Sequence, residues 1–435
     1  MRIAIVGTGI SGNLIAHLLH DRHDICVFEA NAYVGGHSNT VEFEAFGSAW
    51  QADTGFMVFN DRTYPHFIDL LERLGVEVQD SDMSFSVHCN RTGLEYQGSS
   101  LNGLFAQRRN MLSPRFYRML IDIVRFNRTS CEALDSGRLD SPLKVGTFLD
   151  EHRLGEAFRT HYLVPMVAAI WSADPRKVLE FPAKFLIGFM RNHGLLQLRD
   201  RPQWKTIVGG SRRYVERLVA PFRDRIRLSC PVASVTRSED TVRLRTAHGD
   251  EERFDQIVFA CHADQTLRIL KDATTEERET LQAFPYQAND AVLHTDTSLL
   301  PRRRRAWASW NYSLPEQAGE PATVTYDLSR LQRLQTPAPV LLTLNQTEAI
   351  NPKLIIDRIR YDHPAYSLAS VAGQRRFDSI NGTRRTYFCG AYWGYGFHED
   401  GVNSALAVAN YFDLTLESCT AVSTRDELHT AGMNQ

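Results

Sequence analysis

Arg2-Ile3-Ala4-Ile5-Val6 followed by Gly7-Thr8-Gly9-Ile10-Ser11-Gly12 is the stretch that decides the fold. The first five residues are a short apolar, β-branched run, the pattern of a parallel strand buried on both faces. Residues 13–20 follow with apolar side chains at helical spacing, and Asp24–Phe28 (DICVF) reads as a second strand that ends on Glu29. Strand, glycine turn, helix, strand and an acid 17 residues past the last glycine make up a dinucleotide-binding fingerprint with all its parts in order. Gly7 permits a tight turn, Gly9 lets the backbone approach a pyrophosphate, and Gly12 lets the helix pack close to the sheet. The N-terminus of that helix supplies free N–H groups and a positive dipole end for the phosphates. Glu29 is placed to accept hydrogen bonds from the ribose hydroxyls of an adenosine.

The rest of the composition narrows the class. The chain has 435 residues, 43% of them hydrophobic and 23% charged, which suits two or three globular units and excludes disordered, collagen-like and disulfide-scaffold classes. Its 49 basic and 51 acidic side chains leave a net charge of −2, so a protein living off nucleic-acid phosphates is not expected. Seven cysteines are scattered without CxxC or CxxH spacing, which predicts free thiols and no zinc site. No HExxH or carboxylate triad predicts a metal, and no G-x-S-x-G elbow predicts a hydrolase. The start of the chain has a cation before an apolar stretch, but three glycines interrupt that stretch and no A-x-A-like site closes it. A targeting segment is therefore not expected, nor a membrane span, and a cytoplasmic location is the default.

Six residues past Glu29 stands Gly35-Gly36-His37-Ser38-Asn39-Thr40, then VEFEAFG and Asp53-Thr54-Gly55-Phe56. Residues 204–220 read as a strand, Gly209-Gly210 and a helix; residues 226–260 form a strand meander that includes Val232. The last segment is RTYFC at 385–389, Gly390, the loop Ala391-Tyr392-Trp393-Gly394-Tyr395-Gly396-Phe397-His398-Glu399-Asp400-Gly401, and a helix from Val402. In these segments the sequence resembles the flavin superfamily of amine oxidases, phytoene-type desaturases and protoporphyrinogen oxidases. That family begins with GxGxxG, an acid, a GG-[basic]-x-x-[ST] turn and D-x-G. The resemblance implies FAD as cofactor, with the GG turn under the pyrophosphate, D-x-G near the flavin, and the C-terminal helix laid against it so that its dipole stabilises negative charge. The FAD-binding residues it implies are Gly7, Gly9, Ile10, Ser11, Gly12, Glu29, Gly35, Gly36, His37, Ser38, Gly55, Val232, Gly390, Asp400, Gly401 and Val402. Two positions depart from the pattern: His37 replaces the usual Arg, and Ala391 the usual Asp. A neutral imidazole is a weaker pyrophosphate partner than a guanidinium.

The implied fold class is α/β, a Rossmann-like FAD-binding domain of the glutathione-reductase type with an inserted mixed α+β substrate domain. Residues 1–75, 204–275 and 381–420 are assigned to the FAD domain, 76–203 and 276–380 to the substrate domain, and 421–435 to a flexible tail. The aromatic loop at 392–397 suggests a cage against the flavin face, so Tyr392 and Trp393 are catalytic candidates with His398. His294, on VLHTD, could orient a substrate, although a lone strand histidine is more often structural. Arg302, Arg303, Arg304 and Arg305 precede Trp307 and Trp310, and suggest peripheral contact with anionic lipid at the inner face of a membrane, against the plainer reading of a solvated loop.

The expected reaction is removal of a hydride from a C–H bond, with the cofactor carrying the chemistry. Three rivals are an amine oxidase, a desaturase of isoprenoids or oxidase of a cyclic pigment precursor, and a non-enzymatic prenyl-binding protein; the intact phosphate turn and Glu29 disfavour the last. The preferred substrate is a lipid acyl chain, since 181–198 (FPAKFLIGFMRNHGLLQL) mixes long apolar side chains with interspersed cations. GGHSNT and GAYWGYGFHEDG also resemble a bacterial flavoprotein group of this superfamily, one member type of which desaturates methylated membrane acyl chains in furan-fatty-acid formation.

Overall fold

The computed structural model describes residues 1–316 and 323–418; the expected tail, residues 421–435, lies outside the described residues. β1 (Arg2–Val6) and β2 (Asp24–Phe28) pair in parallel and are joined by α1 (Ile10–Leu19). Gln256–Phe259 pairs in parallel on the other side of β1, Thr386–Phe388 lies beyond it, and Ile226–Arg227 lies beyond β2. The result is a five-stranded parallel sheet gathered from distant parts of the chain. Ile3 and Ile5 pack with Leu14, Ile15 and Leu18 in one core, whereas Ala4 and Val6 pack with Val235, Leu244 and Phe254 in another. A strand covered on both faces has no polar side, which is why RIAIV shows no alternation. Each fully buried Ile or Leu here contributes about 1.5–3 kcal/mol.

Close packing around the first turn depends on glycine. A Cβ at Gly12 would stand 2.0 Å from the Gly7 carbonyl oxygen, so no larger residue lets α1 approach the turn this closely. The helix His398–Ala409 packs on α1 in the same manner: a Cβ at Gly401 would lie 2.7 Å from Ile10 Cγ2, and Ser11 Oγ donates to the Gly401 carbonyl at 2.8 Å.

The second sheet has seven strands in the order Ile355–Pro364, Tyr286–His294, Leu341–Leu344, Thr323–Asp327, Trp310–Leu314, Phe85–Cys89, Leu94–Gln97. Its pairs are antiparallel except Trp310–Leu314 with Phe85–Cys89. Helices Pro114–Asp135, Val164–Trp171 and Ala183–Asn192 share its core through Phe126, Trp171 and Phe189, which cluster with Tyr326 and Leu342 of the sheet.

A small sheet stitches the two regions together. Trp204–Ile207 lies between Phe59–Asn60 and Val78–Asp80, so residues 78–80 join the cofactor-side strands although they follow the expected boundary at 75. Beside it, the buried Asp53 carboxylate accepts from Ser211 N at 2.9 Å, Ser211 Oγ at 2.7 Å and Thr40 Oγ1 at 2.6 Å. Gln332, from the second sheet's side, accepts from Asp53 N at 2.8 Å and donates to Asp53 O at 2.9 Å. Burial pushes the Asp53 carboxyl up to about 6, against the pull of those donors. No described helix is long and apolar enough to cross a membrane.

Candidate active site

A cavity of about 710 Å³ runs across the C-terminal ends of the parallel strands, within the range of small-molecule and cofactor sites. Val6 and Gly7 after β1, Phe28 and Glu29 at the end of β2, Ala260 and Cys261 after Gln256–Phe259, and Gly390 after Thr386–Phe388 all line it. This is the crevice where open α/β sheets bind ligands. Gly7 turns with φ +103°, and a Cβ there would stand 2.9 Å from the Ala260 carbonyl. Gly9 is the N-cap of α1 with no side-chain cap, so the first amides of the helix have no partner within it. A Cβ on Gly9 would meet no atom within 4 Å. Gly36 closes over it with φ +58°, its Cβ position 3.2 Å from Gly9 Cα.

The donors and acceptors around this cradle suit a dinucleotide. Glu29 is buried and accepts from Thr8 N at 3.0 Å, Thr8 Oγ1 at 2.5 Å and Asn31 N at 2.8 Å. That uses three of the roughly four acceptor positions of a carboxylate and leaves one for a ligand hydroxyl. His37, His262 and His363 form a cluster facing the turn, with ring centroids 6.2 Å apart for His37–His262 and 5.4 Å for His37–His363. His37 also packs on Tyr361 at 4.9 Å, and His262 stacks on Tyr286 at 4.3 Å. His37 Nε2 and His262 Nδ1 are buried without a protein partner. Burial first, then neighbouring imidazoles, holds His37 well below the usual histidine value and His363 down to about 4. Burial also lowers His262, with Asp264 and Asp362 opposing and Arg268 reinforcing the effect. Buried imidazole nitrogens without partners, which donate in the appropriate tautomer, beside a helix N-terminus and over a cradle that only glycines leave open, fit the diphosphate of FAD. Among the described residues no cluster of His, Cys, Asp or Glu could hold a metal ion.

The other end of the cavity is apolar. Trp171, Trp310, Tyr326, Leu331, Leu342 and Leu344 line it, and the only carboxylates in the whole wall, among the described residues, are Glu29 and Asp362. Trp171 Nε1 donates to the Tyr395 carbonyl at 2.9 Å and Tyr326 OH to the Ala169 carbonyl at 3.3 Å. Trp310, edge-on to Tyr326 at 4.9 Å, keeps a buried Nε1–H with no protein acceptor. Among these six side chains the Trp310 N–H is the one polar group without a protein partner, and it is buried away from the open space of the chamber.

Thirteen of the sequence candidates line the cavity: Gly7, Gly9, Ile10, Ser11, Glu29, Gly35, Gly36, His37, Gly55, Val232, Gly390, Tyr392 and His398. The others do not, for identifiable reasons. Gly12, Gly401 and Val402 serve helix packing, Val402 being fully buried in the core beside α1. Ser38 Oγ is turned to His398 Nε2 at 3.0 Å and to Tyr214 OH. Asp400 accepts from Phe397 N at 2.9 Å and folds the aromatic loop instead of facing the cavity. His294 is spent inside the second sheet, with Nε2 against Thr343 Oγ1 at 2.8 Å and Nδ1 accepting from Asp296 N at 3.0 Å. Trp393 packs between Phe284 and Phe377, at 5.4 and 5.0 Å.

The four rings of the aromatic loop do not form one cage: Tyr392 and Phe397 reach the cavity wall, and Trp393 and Tyr395 do not line it. Tyr392 and Trp393 turn toward Phe284, while Tyr395 packs on Phe185 at 4.8 Å and Phe397 on Phe189 at 5.1 Å. His398 stacks on Phe56 at 3.5 Å and is driven by burial down to about 3, so it is a neutral wall residue and a weak base. Trp307 Nε1 donates to Pro301 O and Trp310 lines the cavity, so neither tryptophan is a free surface anchor. Sequence reasoning missed His363, Tyr361 and the lining Trp171, Tyr326 and Leu342. None stands in a glycine or charge pattern; only the pairing of Ile355–Pro364 with Tyr286–His294 brings His363 to the turn.

The family described as flavin-containing amine oxidoreductase matches residues 14–320. The fold is similar to that of a CLA-producing fatty acid isomerase from P. acnes, with TM-score 0.67 and 16% identity over 94% of this chain and 98% of the other. Cyclohexylamine oxidase from Brevibacterium oxydans IH-35A gives TM-score 0.66 and 20% identity over 95% and 99%. Putrescine oxidase bound to putrescine gives 0.66 and 14% over 95% and 99%. At these identities the likeness is one of fold. No curated protein sequence matches the chain. With the match spanning most of the chain and the cradle fitting a dinucleotide, the protein belongs to the flavin-containing amine oxidoreductase family and is an oxidoreductase with FAD as its cofactor.

Proposed function

We propose that the protein removes hydrogen from a C–H bond of an apolar acyl chain, as a desaturase. The observation that carries this reading is the chamber wall: Trp171, Trp310, Tyr326, Leu331, Leu342 and Leu344 present no charge, and their one unengaged polar atom is the Trp310 N–H donor. Hydrocarbon enters such a wall at no cost in lost hydration, whereas an ammonium would lose its hydration there. Aromatic faces can attract a cation, and Trp171, Trp310 and Tyr326 leave that route to an amine to be tested directly. One relative of this fold is a fatty acid isomerase, which is compatible with an acyl substrate in this architecture.

The two-electron oxidation of a C–H bond is the chemistry that FAD supplies when bound. This chain's residues do the rest. Gly9 and the first amides of α1 would hold the diphosphate, with His37, His262 and His363 donating from the opposite side. Glu29 would hold a ribose hydroxyl. The apolar side chains of the second sheet would exclude water and align the chain of the substrate. In this reading the five-stranded sheet is the cofactor domain and the seven-stranded sheet the substrate domain. Anaerobic mixing tests the proposal: an unsaturated, methyl-branched phospholipid should bleach the flavin absorbance, and primary amines or polyamines should not. Bleaching by an amine and none by lipid would overturn it.

A further inference from the structure

The helical layer over the second sheet has an apolar face that the described residues leave largely exposed. Tyr117, Ile121 and Val124 of the helix Pro114–Asp135 are spaced four and three residues apart, and are 42%, 58% and 51% exposed. One helix face holds such positions together. The opposite face of the same helix is already used, with Phe116, Met119 and Phe126 buried in the core. Leu101, Met111 and Leu112, on the short turns that precede this helix, are exposed as well, and Leu112 is 88% exposed. A contiguous apolar surface of this kind marks an interaction site.

The charges around it say what kind. Residues 101–128 contain six arginines, Arg108, Arg109, Arg115, Arg118, Arg125 and Arg128, all exposed, and one acid, Asp122, which is buried. Arg125 reaches Asp122 at 2.9 Å and Arg128 reaches Glu132 at 3.7 Å; among the described residues the other four make no ion pair. The turn Arg304–Ala306 packs against the helix Leu101–Leu104, which sets the exposed Arg302, Arg303, Arg304 and Arg305 at the edge of the same surface. Arg303 is paired with Glu95 at 3.1 Å, and Arg304 lies over Trp307.

We propose that this face, Leu101 through Val124 with its arginine rim, docks on an anionic phospholipid surface. Apolar side chains on one side of a helix enter the headgroup–acyl boundary while flanking cations meet lipid phosphates, which is the arrangement of an interfacial helix. A protein partner of ordinary mixed charge would not call for this one-sided rim. The assignment stands on the surface alone and holds whatever the substrate of the cavity is.

Flotation of the FAD-loaded protein with vesicles tests it, using phosphatidylcholine alone and phosphatidylcholine with one-third phosphatidylglycerol. Binding is expected only to the anionic vesicles, and should fall as salt rises. Each arginine at such a surface is worth roughly a five-fold change in partition, so the double variant Arg115→Ser, Arg118→Ser should bind about 25-fold more weakly. The double variant Ile121→Ser, Val124→Ser should also lose binding, and both should keep their flavin, since all four positions are exposed. As a second measurement, Leu112→Trp should shift its emission to the blue on adding anionic vesicles and be quenched by brominated lipid. Equal flotation of wild type and both double variants would overturn the proposal. So would absence of vesicle binding by a dimer that Ile121→Ser, Val124→Ser converts to monomer, because the face would then cover a second copy of the chain.

Discussion

Gly9→Val and Gly12→Ala should fail in different ways, and the difference tests the cradle directly. Gly9 has φ −65° and ψ −179°, extended backbone that any residue adopts, and a Cβ there meets nothing within 4 Å. The apoprotein of Gly9→Val should therefore melt within about 0.5 kcal/mol of wild type, as for a surface substitution. Its isopropyl group would instead occupy the space in front of the first helical amides. Hydrogen bonds to a charged diphosphate are worth about 1.5–3 kcal/mol each, so displacing two weakens FAD by roughly two to four orders of magnitude. At Gly12 the added methyl would stand 2.0 Å from the Gly7 carbonyl, a backbone atom that cannot swing aside. Overpacking of this kind costs about 1–3 kcal/mol or more and should lower the melting temperature of the apoprotein itself. The assays are thermal melting of both apoproteins and FAD titration by flavin fluorescence. Full flavin content in Gly9→Val, or equal destabilisation of the two apoproteins, would refute the reasoning.

The histidine cluster predicts a pH dependence of cofactor affinity. Burial keeps His363 near 4 and His37 well below the usual value when the diphosphate is absent, and a bound dianion raises both, so binding takes up protons. FAD affinity should tighten as pH falls from 7 toward 5, by at most about tenfold per pH unit for each proton taken up, and His37→Gln should flatten the profile in a calorimetric titration. Arg237, whose side chain is fully buried between Glu277 at 2.5 Å and Asp272 at 3.2 Å, should be costly to remove. Arg237→Ala leaves the buried Glu277 unpaired and should lose about 3–5 kcal/mol in denaturant melts, more than any exposed arginine substitution. Trp310→Phe keeps an aromatic wall and removes one ring from it, a loss of roughly 50 Å² of apolar contact or about 1.2 kcal/mol. It should raise the KM of an apolar substrate by roughly five- to tenfold with kcat little changed, and a fall in kcat with KM unchanged would place Trp310 in another role.

What was legible in the sequence is what backbone geometry requires of particular residues. Gly7 and Gly36 hold positive φ, and Gly12 and Gly55 stand where a Cβ would strike a carbonyl, so the glycine spacing carries the cofactor crevice almost unaided. Glu29 was legible for the same reason, because the end of β2 faces the crevice mouth in any sheet of this order. The misreadings fall where the side chain's direction decides. Tyr392, Trp393, Tyr395 and Phe397 looked like one cage, but the backbone at Gly390, Gly394 and Gly396 turns them to opposite sides of the loop. His294 shared its strand with polar neighbours, and only the register with Thr343 explains why both its nitrogens are engaged. Asp400 looked like a flavin contact and is a loop brace, a role visible only once Phe397 N lies 2.9 Å away.

The two ends of the cavity are built by different means, and this bears on how the protein can change. The cofactor end depends on main-chain approach at Gly7, Gly9 and Gly36, where nearly every substitution strikes backbone or ligand. The apolar end is made of ordinary Leu, Trp and Tyr side chains, where Leu342 or Leu344 can be exchanged for another apolar residue at a cost of about 1.5 kcal/mol or less. Gln332 and Asp53 tie the two ends by backbone and amide hydrogen bonds that do not involve the chamber side chains. If the apolar chamber holds the substrate, as proposed, substitutions there should alter which substrate is oxidised while leaving flavin content untouched.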